Sequence, residues 1–183
     1  MKGIVFTEFL DLVETKFGMK MVDEIIENAT LSSGGVYTAV GTYPFSEMLS
    51  LLGELSKETS LSTDQLLLVY GEHFFSVLTE NYSALIDSYT DPIALLASIE
   101  NHIHVEVRKI YPDAELPTFQ VTERTDSHLV MVYKSSRAMH SFGLGLMNST
   151  FDHFEKEATI LVEKIKPDGT EVRFSITQKN GRS

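Results

Sequence analysis

Tyr133-Lys134-Ser135-Ser136-Arg137 closes an apolar run, Leu129 to Ser135, and opens a stretch with apolar residues at helical spacing, Arg137 to Lys156. At the end of an extended strand, side chains two residues apart project to one side, so Tyr133, Ser135 and Arg137 would share a face. A phenol, a hydroxyl and a guanidinium together suit a carboxylate or phosphate, with the guanidinium supplying charge and bidentate geometry. The plainer alternative is a serine N-cap followed by a surface arginine.

Outward from this junction the texture of the chain changes. On the C-terminal side, Thr159–Lys166 and Glu171–Gln178 flank Pro167-Asp168-Gly169, a turn signal that makes the two runs a hairpin. With Phe119–Glu123 and Leu129–Ser135 they supply four strands around one helix. On the N-terminal side the spacing is helical. Val5, Phe9, Leu12, Val13 and Phe17 mark a helix over residues 2–17 that Gly18 closes, and Val22, Ile25, Ile26 and Ala29 repeat the pattern. Further helices are expected over about 44–58, from a Ser62/Gln65 capping box onward, and over about 92–109 behind Asp91-Pro92. The fold class is therefore α+β: an N-terminal helical subdomain, then a C-terminal antiparallel four-stranded sheet with helices.

The length of 183 residues supports one core, and 11 Phe and 7 Tyr argue against disorder. A net charge of −11 repels a phosphate backbone and an anionic membrane surface, so neither nucleic acid nor membrane is an expected partner. The absence of Cys excludes disulfides, thiolate nucleophiles and zinc knuckles, leaving His, carboxylate, Tyr or Met to hold any metal. Neither a signal-peptide pattern nor a run of eighteen apolar residues is found, and a cytoplasmic protein is expected.

His102 and His104 imitate an H-x-H metal pair, but two positions on a helix lie about 200° apart, so at most one imidazole enters a given pocket. His104 shares a face with Ala97, Glu100 and Val107, and His102 with Leu95, Ser98 and Ile99; neither face decides the matter. His128, His140 and His153 read as surface or satisfied histidines.

In combination these pieces are more specific. A helix-borne His, Ile110-Tyr111-Pro112, Leu116-Pro117-Thr118-Phe119, Tyr133-x-Ser135-x-Arg137 and Gly143-Leu144-Gly145-Leu146 occur in that order. The chain thereby resembles, over essentially its whole length, the H-NOX (heme nitric oxide/oxygen-binding, HNOB) family, which includes the heme domain of soluble guanylate cyclase. The resemblance implies a single H-NOX domain over 1–183, with a distal helical subdomain of about 1–62, a proximal one of about 63–183, and heme b between them. Its metal ligand would be His104, six residues before Ile110, rather than His102. Tyr133, Ser135 and Arg137 would grip the propionates, and Pro117 would press on the porphyrin. The distal wall would comprise Val5, Phe9, Phe74, Leu78, Phe142 and Leu146, all apolar.

Family members that hold O₂ carry a distal tyrosine where this chain has Phe142, so the resemblance implies an NO sensor, with CO as a weaker ligand. NO would release His104, and the sensor, itself no enzyme, would regulate a histidine kinase or a diguanylate cyclase or phosphodiesterase. Gly71 and Gly145 would be hinges or close helix contacts, and the missing Cys rules against the zinc site of some relatives. Alternatives are an O₂- or redox-sensing heme protein, or a small anion-binding enzyme with a His as general base. For the enzyme, no nucleophile–base pair, phosphate loop or paired carboxylates stand near Tyr133 and Arg137.

Overall fold

The computed structural model describes residues 1–179. Its helices are α1 (Ile4–Phe17), α2 (Met19–Asn28), α3 (Phe45–Thr59), α4 (Thr63–Asn81), α5 (Ser83–Ile86), α6 (Pro92–Ala97), α7 (His104–Ile110) and α8 (His140–His153). The strands are β1 (Thr118–Arg124), β2 (His128–Lys134), β3 (Ala158–Lys164) and β4 (Glu171–Gln178), an antiparallel sheet in the order β1-β2-β4-β3. The α+β expectation matches this architecture.

Local chemistry sets most boundaries. Both bonds of the capping box open α4: Ser62 Oγ accepts the Gln65 N–H at 3.2 Å and Gln65 Oε1 accepts the Ser62 N–H at 2.9 Å. Asp91 accepts the Ala94 N–H at 2.9 Å, with Pro92 inside the first turn of α6. Gly18 joins α1 to α2 at φ +85°, a conformation other residues adopt only with strain. The short α5 has no counterpart in the sequence reading, and α8 starts three residues later than Arg137 because Ala138 takes a left-handed conformation, φ 51°.

One expectation fails. The helix anticipated over 92–109 is divided, because a π turn, Ile99–Ile103, separates α6 from α7. The Ser98 carbonyl accepts both the His102 N–H at 2.8 Å and the Ile103 N–H at 3.3 Å, which inserts a residue into the turn. The Ser98 hydroxyl also donates back to the Leu95 carbonyl at 2.7 Å. An inserted residue turns everything after it by about 100°, so the face carrying His104 is not the continuation of the α6 face.

Two cores form. The first joins Phe6, Phe9, Leu12 and Val13 of α1 to Met48, Leu51 and Leu52 of α3 and to Tyr70 and Phe74 of α4. The second packs Phe75, Leu95, Leu96, Met147 and Phe151 onto one face of the sheet, where Leu129, Met131, Tyr133, Val172, Phe174 and Ile176 alternate inward. Adjacent residues of α4, Phe74 and Phe75, enter different cores, and Leu146 of α8 packs against both.

α4 and α8 cross in backbone contact. A Cβ on Gly71 would stand 2.1 Å from the Phe142 carbonyl oxygen, and one on Gly145 would stand 2.2 Å from that of Leu68. Both glycines therefore serve the close helix contact, the plainer of the two roles considered for them.

Two other features bear on function. The loop after α2 is tied to α3 by Glu47, a buried carboxylate that accepts from Ser32 Oγ at 2.5 Å, Ser33 Oγ at 2.5 Å, Ser33 N–H at 3.1 Å and Tyr37 OH at 2.7 Å. β3 lies at one edge of the sheet with Leu161 66% exposed. No helix among the described residues is long and apolar enough to cross a membrane.

Candidate functional site

The π turn delivers His104 as the first residue of α7, where it is buried. Its Nδ1 lies 3.1 Å from Glu100 Oε1, and the same oxygen accepts the Phe119 backbone N–H at 2.8 Å. Burial lowers the proton affinity of His104, the Glu100 carboxylate opposes that, and Arg108 adds to it; the net direction is down, which favours the neutral ring. With its proton on Nδ1, assigned from the carboxylate partner, the ring presents the lone pair of Nε2. No hydrogen bond among the described residues engages Nε2.

His102 is turned elsewhere, its Nδ1 paired with the Tyr89 hydroxyl. The two histidines left undecided by spacing thus have separate environments. His128 meets Thr177 Oγ1 at 3.1 Å and His140 meets the Ala138 carbonyl at 3.3 Å, so both have partners.

Tyr133 is buried on β2 between Phe119 and Val172, its neighbours on the flanking strands. Burial raises the pKa of its phenol, against the influence of Ser135, the Met139 backbone and Arg137. Ser135 follows the strand, and its Oγ accepts the Arg137 N–H at 3.2 Å. The Arg137 guanidinium lies over the Phe45 ring, 5.7 Å from its centroid, and donates to the Glu115 carbonyl at 2.8 Å and to the Glu115 carboxylate at 2.5 Å. The segment 115–119 therefore touches both ends of the site. Glu115 holds Arg137, Phe119 holds Glu100, and half-buried Pro117 lies between them.

The six apolar residues assigned to the distal wall all fall in or against the first core. Phe9 and Phe74 are buried; Val5, Leu78, Phe142 and Leu146 are partly buried around them. The Phe74 and Phe142 rings are 5.5 Å apart. Sequence reasoning missed Tyr70, whose ring lies 5.0 Å from Phe142 and 5.4 Å from Phe9. Its place four residues after Leu66 and four before Phe74, on the same stripe of α4, was the available signal. Tyr70 brings a hydroxyl to this wall, but the hydroxyl donates to the Val5 carbonyl at 2.6 Å. Burial pushes its pKa far up, so it stays a neutral donor to Val5.

These residues fit a heme. A lone neutral imidazole, fixed at one nitrogen and open at the other, suits a metal brought by a macrocycle. No group of three or more His, Asp or Glu among the described residues is placed to hold a bare ion. Arg137 already donates to a carboxylate, that of Glu115, which is the chemistry a propionate would present.

Residues 2–162 match the family model described as Haem-NO-binding. The Fe(II) unliganded H-NOX protein from K. algicida is 65% identical, with a TM-score of 0.98 over 100% of this chain and 99% of its own. Its variant with glycine in place of alanine at its own position 71 is 66% identical, with a TM-score of 0.97 over 99% and 98%. The IWP-051-bound H-NOX from Shewanella woodyi in the Fe(II)CO state is 34% identical, with a TM-score of 0.83 over 100% and 97%. Comparison with curated proteins returned no match. Domains of this kind are sensors and not enzymes. The chain belongs to the H-NOX family of heme-binding gas-sensor domains.

Proposed function

We propose that this chain is a cytoplasmic sensor of nitric oxide that holds heme b on His104 and regulates a separate signalling enzyme when His104 is released. The observation carrying this reading is the imidazole held at Nδ1 by Glu100, with Nε2 taking no hydrogen bond among the described residues. When bound, the heme would supply a ferrous iron able to take a gas ligand. His104 would hold that iron through Nε2. Arg137, Ser135 and Tyr133 hold the propionate carboxylates, with Arg137 exchanging Glu115 for them, and Pro117 supplies a rigid apolar contact.

Val5, Phe9, Phe74, Leu78, Phe142 and Leu146 exclude water and offer no donor, while the Tyr70 hydroxyl remains with Val5. Such a wall gives no hydrogen bond to the partial negative charge of bound O₂, which favours NO, with CO as a further ligand. Were His104 to let go of the heme, α7 would be freed at the π turn, the element able to take a second arrangement. The distal half, about 1–62, then shifts against the proximal half, about 63–183. The partner class is a histidine kinase or a diguanylate cyclase or phosphodiesterase. The charge of −11 suits a basic surface on that partner and disfavours nucleic acid and membranes.

Absorption spectroscopy of the purified protein tests the reading. We expect a Soret band, a pyridine hemochrome of heme b, and on NO addition to the ferrous form the spectrum of a five-coordinate heme lacking histidine. The absence of a Soret band overturns the whole proposal. A new spectrum in air that reverses when oxygen is removed overturns the NO selectivity.

A further inference from the structure

Glu100 has a position that neither the family motif nor the heme-gripping set accounts for. It lies in the π turn, four residues before His104, and one of its oxygens serves two donors from different parts of the fold. One is the His104 Nδ1. The other is the N–H of Phe119 on β1, an edge strand whose free side offers that group to Glu100 in place of a further strand. Phe119 is itself held in the sheet opposite Tyr133, so the carboxylate is pinned from the side that does not move with α7. Glu100 also borders a surface cleft of about 520 Å³ with Asn101, Thr118 and Arg124. Its side chain is 30% exposed, so solvent reaches it.

A carboxylate on the far nitrogen of a ligating imidazole fixes the ring's orientation and makes the near nitrogen a better electron donor. We propose that Glu100 is a positioning residue for His104. It aims Nε2, strengthens it as an iron ligand, and thereby sets how readily His104 is released. This inference rests on the heme reading above. Its rival is that Glu100 merely satisfies the edge of β1.

Glu100→Gln separates the two, because it keeps the size and an acceptor oxygen for both donors and removes only the charge. In the ferrous protein without gas, the iron–histidine stretching frequency measured by resonance Raman should fall in Glu100→Gln and fall further in Glu100→Ala. The heme reduction potential should rise in Glu100→Gln, since an anion near the ligand favours ferric iron. Transfer of heme from Glu100→Ala to excess apomyoglobin should be about tenfold faster than from the wild type. If Glu100→Ala does not fold, Glu100→Gln alone carries the test. Wild-type frequency and potential in Glu100→Gln, with histidine-ligated heme present, overturn this inference and leave the heme reading standing. A wild-type protein without an iron–histidine band overturns both.

Discussion

Two carboxylates, Glu47 in the helical half and Glu100 beside the sheet, do opposite things with the same chemistry. Glu47 collects four hydrogen bonds, from Ser32, Ser33 and Tyr37, all within fifteen residues of it, and is 2% exposed. Burial alone would raise its pKa, but these donors outweigh that and hold it at about 2. Both of its oxygens are taken up by these donors. Glu100 is only partly buried, and it shares one oxygen between a backbone N–H and an imidazole whose other nitrogen takes no hydrogen bond among the described residues. A saturated carboxylate fastens a loop. An unsaturated arrangement keeps a donor atom available, and there the chemistry concentrates.

The strongest way to probe this contrast is to remove the open end of it. His104→Gly should reduce heme content to near background, and added imidazole should restore it; His102→Gly, on the Tyr89 side, should load normally. Reversed results would move the ligand to His102.

Next is Glu47→Gln, which should lower stability by up to about 3 kcal/mol in urea unfolding at pH 7. Heme content per folded molecule should stay unchanged. Because the folded-state pKa of Glu47 is depressed from 4.5 to about 2, its contribution is complete above pH 4.5 and disappears as pH falls toward 2. The gap between wild type and variant should close over that same window, and a constant gap would show that Glu47 acts by packing alone.

Gly71→Ala drives a methyl group into the Phe142 carbonyl and should cost about 2 kcal/mol, seen as a drop of roughly 4–8 °C in Tm. Calorimetry showing no loss would mean that α4 and α8 separate freely. The smallest change is expected for Tyr70→Phe, about 1 kcal/mol from the stranded Val5 carbonyl, measured by the same unfolding curves. These two substitutions disturb the apolar wall without touching Glu100, so their effect on the iron–histidine frequency should be far smaller than that of Glu100→Gln.

Features built from neighbouring residues were legible in the sequence: the Ser62/Gln65 box, Asp91-Pro92, the turn at Pro167-Asp168-Gly169 and the strand-like runs that become β2 and β4. The π turn was not, since apolar spacing through 92–109 fits an unbroken helix and the double acceptance by the Ser98 carbonyl leaves no mark on it. Glu100 and His104 are an ordinary i,i+4 pair on paper. What distinguishes them, the Phe119 N–H, comes from 19 residues away across a turn. Arg137 likewise meets Glu115 across 22 residues. Tyr70 was overlooked because an apolar stripe is read for its carbon surface, and a phenol within it carries a hydroxyl with a destination that only packing determines.

The exposed outer edge at β3 has a consequence for the protein as a colloid. A strand edge with Leu161 uncovered can pair with another copy, and at neutral pH the charge of −11 keeps copies apart. That repulsion vanishes near the isoelectric point of about 4.9, where Glu47 is still ionised and its contribution to folding is nearly intact. On acidification, native molecules therefore lose their mutual repulsion before they lose their fold, and turbidity should appear ahead of unfolding.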